Sequence, residues 1–244
     1  VLGLLLARVL LGSEQPWQRP LLPRTSSARA LEERLRRLGL GLMLHDLGKA
    51  LLPRPLLVKA GSLTEEEWAL IRRHPLVGAQ ILESSGVGPL ALTVVRWHHE
   101  RLDGSGYPDG LDRESLPLLP RIAAVADVFD AITSARPYRP PRPSWVGVRE
   151  IVDGQGSLYD PTVVAAFRRT VAPYPVGTLV RLSDGRRGLV ADLPPGRPDR
   201  PVVRVFSDPG GDATGPVEVS LLDHPALAVV EDDGTPLASA LDSA

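Results

Sequence analysis

The chain has 244 residues with 28 basic and 29 acidic side chains and no cysteine. That length allows one or two domains with a sizeable core. The near balance of charge argues against a general nucleic-acid binder or a basic membrane-surface protein, and the missing cysteines exclude disulfides, thiolate zinc sites and cysteine nucleophiles.

In chain order, residues 1–11 form an apolar run broken by Arg8. It is too short for a membrane span and lacks the basic start and small-residue cleavage site of a signal peptide, so it reads as the end of a helix. Residues 12–27, with Pro16, Pro20 and Pro23, read as a loop. From Ala28 onward, Leu31, Leu35, Leu38, Leu42 and Met43 recur near the 3.6-residue period, predicting a helix that runs into His45 and Asp46. Thr64, with Glu67 three residues later, makes a capping-box pattern and predicts a helix over 65–74. Pro75 forces a new start, and a second helix runs to 84. Residues 89–99 and 120–134 read as helices, with an ordered loop rich in Gly and Asp over 100–115 between them. Ser144 caps a further helix, and Asp160-Pro161 opens the last one with an N-cap followed by proline at N1.

After Pro175 the texture changes to strand. Residues 178–190 read as a hairpin turning at Asp184-Gly185, and 201–206, 217–222 and 227–230 supply further strands. This predicts a mainly α chain: a helical domain over 1–173, a small β-rich module over 174–231 that resembles SH3-like barrels by pattern only, and a flexible tail over 232–244. His224 stands alone in the β-rich module, with no chemistry to assign to it.

Four of the five histidines fall between His45 and His99. They occur as His45-Asp46-Leu47-Gly48-Lys49, as His74 before a proline, and as His98-His99-Glu100, with Asp127 and Asp130 on a later helix. Taken singly, each has a bland alternative: His74 as a satisfied core residue, His45-Asp46 as a surface hydrogen bond, Asp127 as a surface charge. Taken together they form a mixed nitrogen and oxygen donor set suited to Fe, Mn or similar divalent metals. A pair of such ions suits phosphodiester hydrolysis.

His45-Asp46-Leu47-Gly48-Lys49 matches the HD signature. His98-His99-Glu100-Arg101-Leu102-Asp103-Gly104-Ser105-Gly106-Tyr107-Pro108 matches the HHExxDGxGYP signature, and 123–139 resembles a further block of the same family. Over roughly 31–169 the chain resembles the HD-GYP family. The resemblance implies an HD-type helical bundle and a metal-dependent phosphodiesterase that hydrolyses cyclic di-GMP to linear pGpG or GMP in bacterial signalling. It further implies two divalent ions, Fe or Mn, held by His45, Asp46, His74, His98, His99 and Asp127, with Asp46 bridging. Lys49 would steady a phosphate or the nucleophile, where its charge has a purpose only if an anion binds. Gly106, Tyr107 and Pro108 would face the substrate, and Arg136 and Arg139 would hold guanine edges or phosphates. The family usually shows lysine where Arg139 stands, and a guanidinium makes that contact with different geometry. Diguanylate cyclase or sensor-domain partners, a homodimer and a cytoplasmic location complete the expectation, with no DNA and no membrane span.

The match departs at one point. The family normally carries a metal-binding His on the helix before the HD signature, and no histidine precedes His45. Residues 1–11 resemble the second half of that helix, so the missing ligand is expected upstream of Val1 in a longer parent protein. The alternatives are a catalytically impaired domain acting as a cyclic di-GMP sensor or scaffold, and an HD phosphohydrolase for another nucleotide.

Overall fold

The computed structural model describes residues 1–12, 28–59, 61–136, 140–232 and 235–236. Among them the helices are α1 (Leu2–Gly12), α2 (Ala28–Leu44), a 3-10 helix (Leu47–Leu51), α3 (Arg54–Leu57), α4 (Glu65–Ile71), α5 (His74–Leu82), α6 (Pro89–Trp97), α7 (Leu118–Thr133), α8 (Ser144–Asp153) and α9 (Pro161–Thr170). The strands are β1 (Leu179–Leu182), β2 (Arg187–Asp192), β3 (Val202–Ser207), β4 (Ala213–Ser220), β5 (Val229–Asp232) and β6 (Thr235–Pro236). The chain divides into two compact units, residues 1–142 with 149–167, and residues 143–148 with those from 168 onward. Gly12, expected to open a loop, instead ends α1, while the rest of the loop expected over 12–27 and most of the expected tail lie outside the described residues.

In the helical unit, α2 packs on α6, α1 on α2 and α7, and α6 on α7. The periodic leucines of α2 turn one face inward, with Leu38 fully buried, and Leu6, Val94, Ile122, Val125, Val164 and Phe167 join it in the core. Phe129 meets Phe167 edge to face with centroids 5.3 Å apart. The expected capping box opens α4: Thr64 Oγ1 accepts from Glu67 N–H at 3.3 Å, and Glu67 Oε2 accepts from Thr64 N–H at 2.8 Å. α4 ends at Ile71, three residues earlier than the pattern predicts, and α5 begins at His74 itself with Pro75 in its first turn. At α9, Asp160 Oδ1 accepts from the N–H groups of Thr162 and Val163, while Oδ2 accepts from Arg121 Nη1 at 2.6 Å. The capping carboxylate therefore also ties α7 to α9. Among the described residues no helix is long and apolar enough to cross a membrane.

In the second unit the strands form one antiparallel sheet in the order β4-β3-β2-β1-β5-β6. Alternation sets its buried face: Val180 and Leu182 on β1, Val203 and Val205 on β3 point inward, while Arg204 and Phe206 point out. Val190, Val219, Leu221, Val229, Tyr174 and the half-buried Trp145 complete this core. The sheet corrects the barrel expectation, because it is open: β4 and β6 are its two ends, and among the described residues no ladder joins them. Alternating burial is common to open sheets and barrels, and closure depends on a pairing between end strands that periodicity does not encode.

Leu182 sits with no exposure at the centre of this core. Leu182→Ala is expected to cost the sheet about 2–5 kcal/mol, read as a lower urea midpoint for the second unit. A loss of under about 1 kcal/mol would mean that the site collapses around the smaller side chain.

Candidate metal centre

Three histidines follow helix ends. His45 comes just after α2, His74 lies three residues past the end of α4, and His98 caps α6. The last carbonyls of a helix have no partner within it, and here each accepts a hydrogen bond from a ring nitrogen. His45 Nδ1 donates to Leu42 O at 2.7 Å, His74 Nδ1 to Ile71 O at 2.7 Å, and His98 Nδ1 to Val95 O at 3.0 Å. A carbonyl can only accept, so each Nδ1 carries the proton and each Nε2 presents a lone pair. Gly48 brings the 3-10 helix onto the start of α5: a Cβ there would collide with the His74 carbonyl and lie 2.7 Å from Gly78 N.

The lone pairs converge on carboxylates. Asp46 Oδ1 lies 3.2 Å from His74 Nε2 and 3.9 Å from His98 Nε2, and Asp46 Oδ2 lies 3.5 Å from His45 Nε2. Asp127, on α7, places Oδ1 3.6 Å from His45 Nε2 and Oδ2 4.0 Å from His99 Nδ1. One donor atom each from Asp46, His74, His98 and His99 falls within 4.8 Å of all the others. His74 and His98 are buried, yet His74 Nε2, His98 Nε2 and Asp46 Oδ1 have no hydrogen-bond partner. Leaving such groups unpaired costs about 1–3 kcal/mol each, and a divalent cation would satisfy all three. The donor set therefore fits a divalent metal site.

Protonation states agree. Burial, then the neighbouring His45, pushes the His98 pKa down to about 3, and burial with His98 beside it pushes His99 down to about 2. Both rings are neutral at pH 7, the form that binds metal. Burial works to raise Asp46, but His74 and Lys49 outweigh it and hold the carboxyl below its ordinary range. Asp127 is likewise raised by burial, yet ends at about 2 beside His45, His99 and His98. His45 is raised: burial pulls it down, and Asp127 and Asp46 more than compensate.

The other sequence-predicted residues fall in two groups. Lys49 reaches the cluster and donates from Nζ to Asp46 Oδ2 at 2.7 Å. Tyr107 reaches it too, its ring stacked on His99 with centroids 4.7 Å apart and planes 26° apart, and its N–H donating to His99 O at 3.4 Å. Burial raises its hydroxyl to about 12. Pro108 follows through a cis peptide bond. Gly106 allows the loop to lie against its own start, since a Cβ there would come within 2.5 Å of Arg101 N and 2.7 Å of Glu100 C. Arg136 is exposed beyond α7, and Arg139 lies outside the described residues.

The sequence reading gives Glu100 no role, and the structure gives it one. It is fully buried, with Oε1 accepting from Asp109 N–H at 2.7 Å and Gly110 N–H at 3.1 Å, and Oε2 from Leu111 N–H at 3.0 Å. A carboxylate next to a His pair and before a glycine-rich loop was the available signal.

Two outcomes are expected. Glu100→Gln puts an amide NH2 where the loop offers only donors, so unfolding free energy should fall by about 1–3 kcal/mol or more, with faster hydrogen exchange at Asp109, Gly110 and Leu111. Unchanged exchange at those amides would show that the carboxylate does not hold the loop. Second, Mn(II) at about 100 times its Kd should stabilise the metal-free chain by about 2.7 kcal/mol, a gain that His98→Ala largely removes. An equal gain in the variant would place the ion elsewhere.

The HD domain family model matches residues 23–163. Over 159 residues the chain is 45% identical to a cyclic di-GMP phosphodiesterase of Pseudomonas aeruginosa, covering 65% of this chain and 38% of that protein. It is 46% identical over 143 residues to the cyclic di-GMP phosphodiesterase response regulator RpfG of Xanthomonas campestris pv. campestris, covering 57% and 37%. A cyclic di-GMP phosphodiesterase of Thermotoga maritima is 45% identical over 126 residues, covering 51% and 34%. The matched region thus spans less than half the length of each of these relatives. With the HD and GYP signatures in place, the chain belongs to the HD domain family, in its HD-GYP branch.

Proposed function

We propose that the chain is a metal-dependent phosphodiesterase that hydrolyses cyclic di-GMP to linear pGpG or GMP. The observation that carries this reading is the buried set of unpartnered donors, His74 Nε2, His98 Nε2 and Asp46 Oδ1, beside the Tyr107 loop. The activities of the relatives point the same way. In this reading His45, Asp46, His74, His98, His99 and Asp127 would hold two divalent ions, Fe or Mn. Such ions supply Lewis acidity toward a phosphoryl oxygen and favour ionisation of water near neutral pH.

The chain's own residues do the rest. Lys49 keeps its ammonium beside the carboxylate-rich centre and offsets phosphate charge. Tyr107, backed by His99, forms a flat wall for a base or ribose, and Gly106 and Pro108 fix the backbone that carries it. Arg136 and Arg139 contact guanine edges or phosphates. The proposal includes diguanylate cyclase or sensor-domain partners, a homodimer and a cytoplasmic location, all carried from the family resemblance.

The test is hydrolysis of cyclic di-GMP by the chain loaded anaerobically with Fe(II) or Mn(II). Turnover should fall by at least about 100-fold in His45→Ala and Asp46→Ala, and other cyclic dinucleotides should be poorer substrates. Retained metal and bound cyclic di-GMP without product would favour the sensor or scaffold reading. Equal rates on unrelated nucleotides would sink the cyclic di-GMP assignment.

A further inference from the structure

We propose that the Arg96–Asp109–Trp97 contact is a positioning clamp that sets Tyr107 against His99 and so fixes the substrate-facing wall. This rests on the phosphodiesterase reading above. The end of α6 sends side chains in two directions. His98 turns inward, its Nδ1 on Val95 O, and His99 follows it to the cluster. Arg96 and Trp97 instead reach the loop. Arg96 Nε and Nη2 donate to the two carboxylate oxygens of Asp109 at 2.7 and 2.9 Å, and Trp97 Nε1 donates to Asp109 Oδ2 at 2.7 Å.

Three donors thus meet one carboxylate, and the paired guanidinium contact has a directionality that a lysine would lack. The main chain of the same residue is held from the other side, because Asp109 N–H donates to buried Glu100 at 2.7 Å. Both gripping elements belong to one stretch, residues 96–100, which also carries His98 and His99. Asp109 is two residues beyond Tyr107, so the segment that places the imidazoles also places the ring stacked on one of them.

The side chains of Arg96 and Asp109 are 36% and 31% exposed. An ion pair so open to solvent adds little to stability, and the contact is better explained by geometry than by folding energy. The HHExxDGxGYP pattern, at residues 98–108, specifies none of these three side chains.

Asp109→Asn keeps the shape but removes the charge and one acceptor. In the full chain, the His99 Hε1 proton should be displaced by the Tyr107 ring current, with Tyr107→Leu defining the undisplaced position. Asp109→Asn should lose most of that displacement. KM for cyclic di-GMP should rise about 10-fold, by more than kcat falls, with metal bound per chain unchanged. Trp97→Phe, which keeps the ion pair and an aromatic ring but removes the indole N–H, should move both readouts less and in the same direction, and it carries the test if Asp109→Asn fails to fold.

A retained displacement would overturn the clamp. A lost displacement with unchanged KM would overturn its role toward substrate, and loss of metal alongside the KM change would reduce it to general scaffolding. A wild-type chain without turnover would overturn the phosphodiesterase reading and the substrate role with it, while the ring-current measurement would still decide whether Asp109 positions Tyr107.

Discussion

The site depends on how helix ends are satisfied. The carbonyls of Leu42, Ile71 and Val95, each near the end of its helix, take the Nδ1 protons of His45, His74 and His98. Each bond settles a tautomer and a ring orientation together. The carbonyl end of a helix also carries partial negative charge, and α2, α4 and α6 each end within three residues of a histidine of the cluster. The backbone therefore favours a cation here before any side chain is counted. The packing of α2 on α6 and of the 3-10 helix on α5 brings the three ends together, which links the bundle's core to the donor geometry.

A second constraint acts on the loop that follows. Residues 100–111 leave the cluster, turn, and return with Tyr107 over His99. Such a loop has no regular ladder to fix it, and its backbone amides need acceptors. Glu100 supplies three acceptor contacts from within. Its burial would be costly for a lone carboxylate and is compensated by those charge-assisted bonds. His98, His99 and Tyr107 thus lie on one chain segment, with Glu100 between the histidines and the ring.

Much of this was legible in the sequence, for identifiable reasons. The leucine spacing of α2, the Thr64–Glu67 box and the Asp160-Pro161 start act locally, within one or two turns, and local chemistry can be read from neighbours. The His and Asp positions were legible because donor types recur around a recognisable signature. The role of Glu100 was not, since its partners lie nine to eleven residues away and are backbone groups, which have no letter in a sequence. The end of α4 at Ile71 was misplaced for a similar reason: His74 looked like the end of one helix, whereas it opens the next. The open sheet escaped prediction because strand alternation gives burial and leaves the pairing of the outermost strands undetermined.

The charge of the cluster bears on which kind of ligand it suits. His98 and His99 are neutral, Asp46 and Asp127 are ionised, and the ammonium of Lys49 is already engaged with Asp46. Even with His45 protonated, the groups sum to no more than neutrality. A phosphate ester is anionic, and a cluster that is at most neutral offers it no net attraction in a partly buried site where screening is weak. The same carboxylates, with the unpartnered imidazole nitrogens, are what a divalent cation requires. The residues of this chain thus suit a cation better than a bare anion. The chain's overall charge of −1 gives no hint of this, because the relevant field is set within a few side chains and not by the molecule as a whole.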